Sequence, residues 1–65
     1  MILKALEEKD KGNEHFLAGN YVASIIKYSE AIKFDSQNPD LYSNRAAGNL
    51  LVIINLDNQY HFVVF

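Results

Sequence analysis

The fold class predicted is all-α, an array of about three helices, and three observations carry it. Two stretches rich in helix formers, roughly 2–18 and 21–34, are parted by Gly19-Asn20, a pair suited to the end of one helix and the start of the next. Within the second stretch Ile25, Tyr28 and Ile32 recur at i, i+3 and i+7, with Ala31 beside them, which makes one apolar stripe on a helix. Asn38-Pro39-Asp40 is a strong start signal: Asn caps, Pro fits the first turn, and Asp suits the positive end of the helix dipole.

The first helix, about 2–18, contains no Pro and only one Gly, Gly12. The polar loop Asp35-Ser36-Gln37-Asn38 closes the second helix. The third is expected from Pro39 to about residue 52. Composition changes after Arg45: the last twenty residues hold one charge, Asp57, and thirteen apolar residues. Leu50 to Ile54 and Tyr60 to Phe65 flank the turn-like Asn55-Leu56-Asp57-Asn58, so the segment reads as well as a β-hairpin as it does a helix, and an irregular or β-prone tail is the expectation. A β-rich, nearly uncharged segment of this kind is an aggregation hazard when exposed. The chain thus divides into an ordered part, 1–47, and a divergent apolar segment, 48–65.

Bulk properties exclude several function classes. Sixty-five residues make one small domain with a marginal core. Without cysteine there is no disulfide, no thiolate chemistry and no cysteine-bound zinc. The net charge of −2 with no basic block argues against nucleic acid as a partner. Lys4, Glu7 and Glu8 interrupt any apolar leader, and the run Leu50-Leu51-Val52-Ile53-Ile54 is far short of the roughly 20 residues that span a bilayer. A soluble, cytoplasmic protein is the expectation. His15 and His61 share no ligand pattern, so no metal is expected. His15 reads as a packing residue beside Phe16. Ser24, Ser29, Ser36 and Ser43 lack the partners of a nucleophilic site. Adjacent Glu7 and Glu8 point apart on a helix and are not an acid/base pair. No enzyme and no cofactor are expected.

Gly12, Phe16, Gly19, Tyr21, Tyr28 and Ala31 follow one another in a recognisable order. In order and spacing these residues resemble the tetratricopeptide repeat (TPR), a helix–turn–helix unit of about 34 residues. By that resemblance Gly12 and Ala31 are expected to be small where two helices approach, while Phe16, Tyr21 and Tyr28 fill the space between them. One full repeat covers about 5–38, and Leu41-Tyr42-Ser43-Asn44-Arg45-Ala46-Ala47 resembles the opening of a second, 39–47. Ala46, 34 residues after Gly12, is the matching small position. Departures are Glu8 at a usually large apolar position, Ser24 for Ala, Ser36 for Pro, and Ile53-Ile54-Asn55 where Gly19-Asn20-Tyr21 should be echoed. The resemblance covers about 5–47, as expected of a truncated repeat protein carrying an alternative carboxyl terminus.

Lys9 and Asn13 are four residues apart and share a helix face; Asn44 opens the third helix. With these three the chain resembles TPR co-chaperones whose carboxylate clamp binds acidic carboxyl-terminal tails, ending Glu-Glu-Val-Asp, of the seventy- and ninety-kilodalton heat-shock chaperones. By that resemblance Lys9 supplies a cation, and Asn13 and Asn44 donate amide hydrogen bonds. The family's clamp has two further basic residues on the helix opening a third repeat, which this sequence lacks. The alternative reading is a structural element that self-associates or docks a partner through the apolar end bearing Leu50, Leu51, Ile53 and Ile54, with the clamp vestigial.

Overall fold

A computed structural model describes the backbone of residues 1–64 and the side chains of residues 1–56. Three helices follow in order: α1 (Ile2–Leu17), α2 (Tyr21–Phe34) and α3 (Pro39–Val64). Helix α2 lies between the other two and packs against both. The all-α array expected from the sequence is what the chain forms.

Local chemistry sets the ends of the elements. Gly19 has φ +84°, a backbone conformation that side chains with a Cβ disfavour. Its N–H donates to Phe16 O at 3.0 Å, and the Asn20 N–H donates to His15 O at 2.8 Å. This pair of bonds is the Schellman closure, which satisfies the last carbonyls of α1 and turns the chain into α2. At α3 the Asp40 N–H donates to Asn38 Oδ1 at 3.0 Å, with Pro39 in the first turn and Asp40 near the positive dipole end, as the sequence predicts.

The core is small residues set against larger ones. Ala5, Tyr28, Ala31 and Leu41 are its buried apolar members. A Cβ built on Gly12 comes within 2.6 Å of the Tyr28 ring, so no larger residue fits there without movement. On α3 the corresponding tight spot is Gly48, whose added Cβ meets Ile25 at 2.9 Å. Ala46, the small position expected from the repeat spacing, is exposed instead. The reason is geometric: in the repeat that position faces the following helix, and here no described element covers it. Phe16 and Tyr21 meet edge to face with centroids 5.3 Å apart, packing the turn between α1 and α2.

Glu8 occupies the position where a large apolar residue is usual, and it is 7% exposed. Burial by itself raises its pKa. The hydrogen bond and charge of Lys11, with the charge of Lys27 on α2, outweigh that and hold the carboxyl below its ordinary value. Lys11 Nζ stands 3.4 Å from Oε1 and Lys27 Nζ 3.6 Å from Oε2. An ion pair across the two helices therefore replaces the usual apolar contact.

The tail departs from expectation. An irregular or β-prone segment is expected after about 52, but α3 continues unbroken to Val64. Asn55-Leu56-Asp57-Asn58 has turn-forming composition yet no Gly or Pro. Nothing in it forces φ positive or removes a backbone donor, so the i to i+4 ladder carries through. Phe65 and the side chain of His61 lie outside the described residues. At about 1.5 Å per residue, 26 residues make α3 roughly 39 Å long, nearly twice the length of the 14-residue α2.

Candidate functional site: a groove between the first and third helices

Asn13, Phe16 and Leu17 from α1, Tyr28 from α2, and Asn44 and Ala47 from α3 line one groove of about 330 Å³. Two of the three residues singled out in the sequence, Asn13 and Asn44, thus share one concave surface although they are thirty-one residues apart. Lys9 does not line the groove. It lies one turn earlier on α1, on the Asn13 face, half-buried. Among the described residues no ion pair holds it, whereas Lys4, Lys11 and Lys27 are paired with Glu7 or Glu8.

The two asparagines differ in how they are held. The Tyr28 hydroxyl donates to Asn13 Oδ1 at 2.6 Å. With its carbonyl oxygen engaged, Asn13 lines the groove with its amide N–H groups, which only donate, free of the described hydrogen bonds. Burial raises the pKa of Tyr28 above its ordinary value, so its proton stays in place at neutral pH. Asn44, half-buried, makes none of the described side-chain hydrogen bonds. A site with two amides and an apolar floor of Phe16, Leu17 and Ala47 can hold a group that accepts hydrogen bonds and is attached to an aliphatic chain.

Arg45, next to Asn44, belongs to another face. Its Nη1 reaches Ser29 Oγ on α2 at 3.5 Å, and its guanidinium lies 5.4 Å from the Tyr42 ring centroid. The Tyr28–Asn13 bond is the feature that sequence reasoning misses, because Tyr28 is assigned to packing alone. The available signal is the position of Asn13, next to Gly12, where the Tyr28 ring comes closest. Among the described residues no His, Cys, Asp or Glu cluster suits a metal ion, and no helix is long and apolar enough to cross a membrane.

A glycine-closed helix pair, a third helix laid against it and a groove across the first and third define a helical-repeat scaffold for binding other proteins. The family described as TPR repeat matches residues 12–47, and the chain belongs to that family. It is similar to stress-induced-phosphoprotein 1 of Caenorhabditis elegans, 56% identical over 43 residues, or 66% of this chain and 13% of that protein. It is also similar to dynein axonemal assembly factor 4 of Pongo pygmaeus, 50% identical over 42 residues, or 65% of this chain and 10% of that protein. Small glutamine-rich tetratricopeptide repeat-containing protein beta of Rattus norvegicus is 46% identical over 44 residues, 68% of this chain and 14% of that protein. The chain therefore spans only a small part of these relatives. No solved structure matches it. As a TPR chain it is a protein-interaction module.

Proposed function

We propose that this module is a cytoplasmic adaptor of the carboxylate-clamp type. It takes the acidic carboxyl-terminal tails, of the Glu-Glu-Val-Asp kind, of seventy- and ninety-kilodalton heat-shock chaperones. Asn13 and Asn44 donate to the terminal carboxylate and peptide backbone, and Lys9, one turn away and free of the described ion pairs, supplies the positive charge. The observation that supports this reading is the pair of asparagines in one groove, with the Asn13 carbonyl engaged by Tyr28 and its amide N–H groups free of the described hydrogen bonds.

Charge-assisted hydrogen bonds are worth about 1.5–3 kcal/mol each, so these 65 residues tested alone, without two further basic contacts, should bind about 3–6 kcal/mol more weakly than a full clamp. Micromolar affinity corresponds to about −8 kcal/mol, which makes weak binding the expectation for these 65 residues. The test is a calorimetric titration with a peptide ending Met-Glu-Glu-Val-Asp, beside the same peptide amidated at its carboxyl terminus. NMR observation of the Asn13 and Asn44 side-chain amides extends it to high peptide concentration. Saturable binding lost on amidation, weakened by salt and abolished by Lys9→Ala supports the clamp. Equal response to the acid and the amide, or unmoved asparagine amides, removes it.

A further inference from the structure

The face of α3 opposite the clamp groove repeats, 34 residues later, the face with which α1 binds α2. Helix α1 buries Ala5, Glu8 and Gly12; the counterparts on α3 are Pro39, Tyr42 and Ala46, all exposed. Phe16, packed on Tyr21, has Leu50 as its counterpart, and Leu50 is exposed. A face built to receive an antiparallel helix is therefore open. Beside it runs an apolar groove of about 550 Å³ walled by Val22 and Ile26 of α2 and Val52 and Leu56 of α3, with no charged residue in its lining.

The geometry points to a two-fold dimer in which α3 of a second copy of this chain covers this open face, antiparallel to α3. Three properties of the face select that occupant. First, residues 46–56 carry no charge, so the partner must be an uncharged apolar helix, and the same stretch of a second copy is one. Second, a two-fold axis perpendicular to α3 supplies the antiparallel neighbour that the face requires and closes the assembly at two copies. Third, the area reaches the lower end of stable interfaces. Val22, Ile26, Tyr42, Leu50, Ile53 and Leu56 are each 41–62% exposed. Together they present roughly 600 Å² per copy, against about 800 Å² per partner in a standard interface.

The same symmetry sets the register. Asn49 stands midway between Tyr42 and Leu56, seven residues from each. An axis at Asn49 brings Tyr42 of one copy to Leu56 of the other, and sets Ala46 level with Val52 and one residue from Ile53. That is small against large, the complementarity that Gly12 and Tyr28 show within the repeat. The proposal is independent of the clamp, which lies on the other side of α3.

Because the chain has no cysteine, single cysteines read the register directly. Asn49→Cys, at the axis, is expected to form a disulfide-linked dimer on mild air oxidation. Gln37→Cys, on the exposed turn before α3, is expected to stay largely monomeric. Sedimentation equilibrium of the unaltered chain is expected to give twice the 7.4 kDa chain mass at high micromolar concentration. Val22→Asp and Ile53→Asp replace exposed residues, so they leave the helical circular dichroism intact. Each should raise the dimer dissociation constant at least tenfold. A mass of 7.4 kDa at every concentration up to millimolar overturns the proposal, as it means the face awaits a helix from another protein or from elsewhere in a longer chain. A dimer that survives both aspartates, or cysteine at 37 linking as readily as at 49, overturns it too.

Discussion

Helices α1 and α3 carry the same repeat position at Gly12 and Ala46, yet one is shut against a tyrosine ring and the other faces outward. Nothing in the two residues explains this; both are small and both sit in mid-helix. The difference is the neighbour. Helix α2 follows α1 through the glycine turn and covers its face, whereas α3 continues straight past the place where such a turn would fall. In a repeat architecture each unit buries its apolar face only against the next, so one sequence pattern makes core in one place and open surface in the other.

Matched substitutions test that contrast most strongly. Gly12→Val forces a branched side chain into space 2.6 Å from the Tyr28 ring. Overpacking of this kind costs about 1–3 kcal/mol, and thermal melting should show a fall of about 4–24 °C in so small a domain. Ala46→Val, measured at dilution, should stay within about 0.5 kcal/mol of the parent. Equal losses at the two positions would break the comparison, because Ala46 would then have to be covered.

The next effect concerns what holds α3 down. Leu41 is 1% exposed, among the most deeply buried side chains of the described residues. Leu41→Ala is expected to cost about 2–5 kcal/mol and to loosen α3 while α1 and α2 stay paired. Amide exchange should therefore rise in α3 more than in α2. A smaller effect is expected from Tyr28→Phe, which keeps the ring over Gly12 but deletes the bond to Asn13. A stability loss of about 1 kcal/mol and a few-fold weaker response to the acidic peptide are the expected readings from melting and calorimetry. Unchanged peptide binding would mean that Asn13 needs no orienting partner.

The smallest effect is one of pH. The folded pKa of Glu8 lies below its ordinary value of 4.5. The unfolded chain thus takes up a proton first as pH falls, and the Glu8 contribution is full above about 4.5 and fades below it. Glu8→Gln removes this part of the acid limb, so the stabilities of parent and variant should converge as pH drops from 6 towards 3 in denaturant titrations. A constant difference across that range would show that the ion pair with Lys11 and Lys27 is not the cause.

Much of the fold is legible in the sequence because its signals are local. Gly19 and the Asn38-Pro39-Asp40 cap act within a few residues, and both operate as their chemistry dictates. The end of α3 is not legible, since the composition of Asn55-Leu56-Asp57-Asn58 favours a turn without compelling one. At the site, the repeat resemblance implies that Asn13 and Asn44 belong together, and both line one groove. The pairing of Glu8 with Lys27 and of Asn13 with Tyr28 escapes sequence reading because each crosses between helices. Lys11, three residues from Glu8 on the same helix, could be paired by spacing alone.

The ring of Tyr28 closes the helix pair over Gly12, and its hydroxyl sets the Asn13 amide. One side chain therefore joins the folding equilibrium to the readiness of the groove. Whenever α1 breathes away from α2, that amide is released to rotate, and on the proposed clamp reading a tail peptide would meet a receptor only partly in its receptive form. Apparent affinity then scales with the closed fraction. Any change that keeps the pair shut, even on its far side, should tighten binding without a single new contact to the ligand.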